Sequence, residues 1–170
     1  MKYWIYFLFI VAGVSSCKLS EQNKRFSNSS PQTVDMGEFK GLRIIEFASL
    51  NYPQTTSQTQ PSQAFTEIDK EYFSDSLIQS LKNSDVRVLP SAQTKIHIDF
   101  TQFAMMKDSE ETIMAMTASV AVSRNGIITR RTIDIKSKAM FTIGASKNNA
   151  VKQFILELGE LLREQSLFKR

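Results

Sequence analysis

Thr112-Ile113-Met114-Ala115-Met116-Thr117-Ala118-Ser119-Val120-Ala121-Val122-Ser123-Arg124-Asn125-Gly126-Ile127-Ile128-Thr129-Arg130-Arg131-Thr132-Ile133-Asp134-Ile135 is the stretch that decides the fold. Met114, Met116, Ala118, Val120 and Val122 share one phase of a two-residue period. Ala115, Thr117, Ser119, Ala121 and Ser123 share the other. That alternation describes a strand with one covered and one wetter face, typical of antiparallel sheets. Asn125-Gly126 supplies the hairpin, because both residues tolerate positive φ. Ile127 to about Phe141 then returns as the next strand, with Ile133 and Ile135 inward.

Outward from this hairpin, Lys95 to Phe103 alternates in the same way, Ile96, Ile98 and Phe100 against His97, Asp99 and Thr101. Val86-Arg87-Val88-Leu89 reads as a short strand stopped by Pro90, and Leu42 to Phe47 as a first strand. Two helical stripes complete the set. Phe65, Ile68, Tyr72, Phe73, Leu77 and Leu81 recur at spacings of three and four, behind the cap candidate Thr66 and the acids Glu67 and Asp69. Val151, Phe154, Ile155, Leu158, Leu161 and Leu162 do the same over Asn148 to Gln165. Asn51 to Gln63, with two prolines and many Thr and Gln, reads as a long loop. Helix stripes and an apolar sheet face are complementary. The expected fold is therefore α+β, a two-layer sandwich of a mainly antiparallel sheet of about five strands with two helices on one face.

The other end of the chain speaks to compartment. Cys17 is the only cysteine. It follows Lys2, an apolar run from Tyr3 to Val14, and Ser15-Ser16. A membrane span needs about 20 apolar residues, and this run is shorter, as a signal h-region is. Val14-Ser15-Ser16-Cys17 resembles a lipobox. The resemblance implies that residues 1–16 are a signal peptide and that Cys17 becomes a lipidated N-terminus, with two or more acyl chains giving stable anchoring. Lys18 after the cysteine would favour outer-membrane sorting under enterobacterial rules. Residues 17–40 are polar and rich in Ser, Asn and Gln, and read as a flexible tether, leaving 41–170 as the folded domain. A lone cysteine excludes an internal disulfide and a thiolate metal cluster within this chain.

Chemistry is sparse. The formal net charge of +4 falls to +3 once Lys2 leaves with residues 1–16, too weak a balance to suggest nucleic acid. His97 is the only histidine and falls on the wetter face, so neither a triad nor a ligand cluster is signalled. Asp108, Glu110 and Glu111 read as a solvated hairpin loop. Gly37, Gly41, Gly126, Gly144 and Gly159 match no phosphate-cradling motif. No catalytic residue, metal ligand or cofactor is expected. Met105, Met106, Met114, Met116 and Met140 read as core filling, with a greasy acyl-chain or protein surface as the sharper reading. Arg124, Arg130, Arg131, Lys136 and Lys138 gather on the last hairpin, where Arg130, Lys136 and Lys138 share a face with Thr132 and Asp134. They read as a solvated face or edge protection, or, more sharply, as a strip for phosphorylated lipid or a partner.

The order of elements behind a lipidated tether resembles the auxiliary outer-membrane lipoproteins of Mce-type ABC lipid transporters. The similarity lies in Phe73 to Leu81, Ile96 to Phe103, and Ala118 to Ile135 followed by Asn149-Ala150-Val151-Lys152-Gln153-Phe154. It covers most of Leu42 to Glu164. Size, tether and element order are also similar to the lipopolysaccharide-assembly lipoprotein that plugs the outer-membrane translocon. That family implies basic loop residues touching glycolipid, for which Arg124, Arg130 and Arg131 are the candidates here. Neither family is enzymatic. The resemblance implies a non-catalytic accessory lipoprotein of envelope lipid transport or outer-membrane assembly, lipid-anchored at the outer membrane and facing the periplasm. Its expected partners are the membrane, envelope complex subunits, and phospholipid or lipopolysaccharide. A structural component of a secretion or motility machine is the alternative, and an envelope hydrolase the weaker one.

Overall fold

The computed structural model describes residues 30–39, 41–53, 66–108, 111–138 and 143–167. Cys17 with its apolar run, most of the long loop after Asn51, and Met140 lie outside the described residues, as do the side chains of Met105 and Met106. The chain divides into residues 1–30 and 31–170, and the fold is that of the second unit. Its elements are β1 (Ile44–Asn51), α1 (Glu67–Asn83), β2 (Arg87–Val88), β3 (Lys95–Asp108), β4 (Glu111–Arg124), β5 (Ile127–Lys138) and α2 (Ile143–Leu167). The sheet order is β2-β1-β3-β4-β5.

The α+β architecture is the one expected, and the sheet is mixed. β3, β4 and β5 form an antiparallel meander. β1 runs parallel to both of its neighbours. Parallel neighbours need a crossover, and α1 supplies the one from β1 to β2. The Asn125-Gly126 turn forms with φ of 52° and 77°, the left-handed pair that suits the right-handed strand twist. Met114, Met116, Ala118, Val120, Val122, Ile133 and Ile135 all point into the core.

Strict alternation from Ile96 would put Phe103 on the wet face. The register of β3 against β4 shifts between Phe100 and Gln102, so Thr101 is an inserted bulge residue. Phe103 therefore returns inward and is buried. Phe100 and Phe103 then meet Phe73 of α1 edge-on at 5.3 and 6.0 Å. Phe154 of α2 lies 5.4 Å from Phe73 and 5.1 Å from Phe100. This cluster clamps both helices to one sheet face. Each fully buried phenyl ring contributes about 1.5–3 kcal/mol.

Helix α1 starts as its sequence predicts. Thr66 and Asp69 form a reciprocal capping box, satisfying two of the orphan N–H groups of the first turn. Helix α2 begins at Ile143, five residues before the start that its apolar stripe marks. Its first turns carry no stripe, and Ser146 Oγ ties them to the Lys138 carbonyl at 3.0 Å.

The segment 31–39 corrects the tether boundary drawn from composition. Val34, Met36 and Phe39 are buried in the same core. The Gln32 and Val34 N–H groups donate to Ser76 and Ser80 Oγ of α1 at 3.0 and 2.9 Å. Further along, a Cβ on Gly159 of α2 would lie 3.1 Å from Met36 Cβ. Three apolar side chains every two or three residues bury enough surface to order an otherwise polar stretch, which a window average conceals.

Candidate functional site

With both helices on one face, the opposite face of the sheet is left to solvent-facing polar side chains. Its residues come from β1, β3, β4 and β5. Ser49 Oγ lies 3.0 Å from His97 Nδ1. The Asn51 amide donates to Asp99 Oδ1 at 2.6 Å. The Thr117 hydroxyl donates to Asp134 Oδ1 at 2.6 Å. These cross-strand pairs follow from register, which sets Ser49 beside His97, Asn51 beside Asp99 and Thr117 beside Asp134. The Thr117 hydrogen bond holds the Asp134 carboxyl below the usual carboxylate range; its slight burial opposes this, and Lys136, 3.4 Å from Oδ2, adds to the lowering.

His97 takes the wet-face position that its phase predicts, half-buried. Among the described residues no carboxylate is hydrogen-bonded to its ring, so Ser49 and His97 form a pair without the orienting third group that nucleophilic catalysis uses. Among the described residues no group of three or more His, Cys, Asp or Glu side chains converges for a metal ion.

The five basic residues of the last hairpin do not assemble into one strip. Arg130, Lys136 and Lys138 are exposed on the polar face. Arg124 and Arg131 fall in the other phase, on the helix side. Arg124 donates to the Gly41 carbonyl at 2.9 Å and to the Gln165 carbonyl at 3.3 Å. Arg131 bridges Glu164 of α2 at 2.8 Å, a pair exposed enough to contribute less than about 1 kcal/mol. The alternation of β5 separates them: adjacent residues Arg130 and Arg131 must point to opposite faces.

A second surface was not legible in sequence. A cleft of about 500 Å³ opens at one end of the sheet, lined in part by Arg43, Ile44, Leu89, Pro90 and Arg124. It needs β1 and β2 as parallel neighbours, a pairing that no local motif announces.

No known protein-family model matches this sequence, and no curated protein matches it. Solved structures share its fold. A Xanthomonas campestris protein of the DUF330 family is similar at a TM-score of 0.51 and 12% identity, covering 82% of this chain and 92% of that one. A hypothetical protein from Chlamydia trachomatis is similar at a TM-score of 0.50 and 8% identity, covering 72% of this chain and 98% of that one. A lipoprotein from Neisseria meningitidis is similar at a TM-score of 0.41 and 10% identity, covering 73% and 99%. At these identities the likeness is one of fold.

Proposed function

We propose that this chain is a membrane-anchored, non-catalytic accessory lipoprotein of the bacterial envelope, serving lipid transport or outer-membrane assembly. The observation that carries the reading is Cys17, the sole cysteine, set directly behind an apolar run too short to span a bilayer. Diacylglycerol on its sulfur, with any further acyl chain on its nitrogen, would hold the exported chain at the membrane. The polar face of β1, β3, β4 and β5 offers a platform for an envelope partner. Its hydrogen-bonded pairs suit contact rather than bond-breaking. The resemblance of the element order to that of Mce-transporter auxiliary lipoproteins supports the lipid-transport branch.

Metabolic labelling with an alkyne palmitate, in wild type and Cys17→Ser, tests the anchor. Label on wild type and none on the variant, with the variant lost from membranes, is the expected result. Equal membrane retention and no label on wild type would overturn it. Co-isolation of a permease, ATPase or translocon subunit with the wild-type chain is expected from the lipid-transport branch. Ring or secretion subunits in their place would move the chain to a surface machine.

A further inference from the structure

The described residues include five exposed large apolar side chains, and four sit at one end of the sheet: Ile44 at 37% exposure, Leu89 at 42%, Ile127 at 46% and Ile128 at 56%. Register puts them there. Glu46, two residues after Ile44, pairs with Lys95, Lys95 with Ser123, and Ser123 with Ile128. Leu89 joins them by its N–H bond to the Ile45 carbonyl at 2.9 Å. Three of these residues flank turns. Ile127 and Ile128 follow the Asn125-Gly126 turn, and Leu89 precedes Pro90 and Ser91, whose φ is 64°.

Cations stand beside the apolar side chains: Arg43 precedes Ile44 in the chain, Arg87 pairs with Ile44 and Arg124 pairs with Ile127. Arg43 and Arg87 are exposed, joined by the Arg87 N–H to Arg43 carbonyl bond of 2.8 Å, and neither makes an ion pair among the described residues. Arg124 lines the same cleft as Ile44 and Leu89. Lys95 faces Glu46 at 3.6 Å. Among the described residues, Glu46 and the exposed Asp85 lie on these strands and turns, and Glu164, next to the Gln165 that Arg124 meets, is paired with Arg131, so positive charge is in excess.

Exposed apolar side chains interleaved with arginines suit the interface of an anionic bilayer, which offers acyl boundary and phosphate to the same surface. Two turns separated by a cleft suit a deformable surface better than a rigid protein face. The chain's entry point agrees. Gln32 is bonded to Ser76 of α1, seven residues before that helix ends at this same end of the sheet, a rise of about 10 Å. We infer that this end of the sheet, Ile44, Leu89, Ile127 and Ile128 together with Arg43, Arg87 and Arg124, rests on an anionic phospholipid surface. The inference rests on the anchor proposed above and adds an orientation to it.

The test uses the full chain, expressed with its own leader and reconstituted on phosphatidylglycerol-containing vesicles. An environment-sensitive dye is placed at Ile128→Cys, or at Thr132→Cys on the polar face as the reference. A several-fold rise in emission at position 128, quenched by brominated acyl chains, is expected, with little change at position 132. The rise should weaken on phosphatidylcholine vesicles and in Arg43→Glu/Arg87→Glu. A chain that floats with vesicles while its dye at 128 stays as wet as at 132 overturns the orientation and leaves the anchor standing. Quenching at 128 that appears only when a protein partner is added also overturns it. A chain that fails to float with vesicles at all sinks anchor and orientation together.

Discussion

Asp69 serves two elements with one carboxylate. Its Oδ2 accepts the Thr66 N–H at 2.7 Å, and both carboxylate oxygens accept from Lys147 Nζ of α2, at 3.0 and 3.1 Å. The side chain is 4% exposed and that of Lys147 15%. Removing one partner of a buried pair costs more than losing a cap. Asp69→Ala should therefore destabilise by about 3 kcal/mol, against about 1 kcal/mol for Thr66→Ala, both read from urea unfolding. The capping role was legible from Thr66 and Asp69 alone. The lysine was not, because it lies 78 residues away. Tyr52 stacks on Phe100 at 5.2 Å. Burial pushes its phenol up to about 12 from 10.0, with Glu67 adding to the rise and a Ser74 hydrogen bond opposing it. A raised folded value favours the folded state fully below pH 10 and loses that advantage as pH climbs towards 12. Tyr52→Phe should remove this alkaline loss, measured as denaturation midpoint against pH. Asp134 has the opposite sign: its advantage exists above the ordinary carboxylate range and fades as pH falls through the lowered value. Thr117→Val should raise the Asp134 carboxyl pKa, seen by NMR titration.

At the scale of elements, two irregularities decide more than the regular repeats do. The Thr101 bulge turns Phe103 into the aromatic cluster. Periodicity places Met114, Met116, Ala118, Val120 and Val122 of β4 and the inward pair of β5 correctly, yet a period of two has no means of announcing an inserted residue. The 31–39 segment is the other irregularity. Ser80 Oγ accepts from Val34 and donates to the Ser76 carbonyl at 2.7 Å, so Ser80→Ala leaves a buried N–H without its acceptor. A loss of about 1–3 kcal/mol is expected, with faster hydrogen exchange at Val34 than elsewhere. Gly159 of α2 lies against Met36 of this segment, with no room for a larger side chain. Gly159→Leu should overpack that crossing and cost about 1–3 kcal/mol despite better helix propensity.

Across the whole molecule, the layer architecture was readable because two stripes and three alternating strands leave complementary apolar surfaces. The strand order was not. Parallel placement of β1 between β2 and β3 depends on a crossover whose loop carries no register signal, and that placement creates both the Ser49–His97 pair and the end cleft. The shared face of Arg130, Lys136 and Lys138 was readable from the two-residue period, whereas the bonds that hold Arg124 and Arg131 on the helix side were not, because their partners are distant in sequence. The domain boundary offers a test at this scale. A chain starting at residue 31 should match the full chain in stability. One starting at residue 41 should lose about 5 kcal/mol, from the burial of Val34, Met36 and Phe39, as chemical denaturation would show. The same segment has a mechanical corollary. Any pull on the amino-terminal side arrives at Ser76, Ser80 and Met36, between the two helices, before it can reach a single strand of the sheet. The load is thus taken in the helical layer, and the opposite face keeps its shape while the chain is under tension.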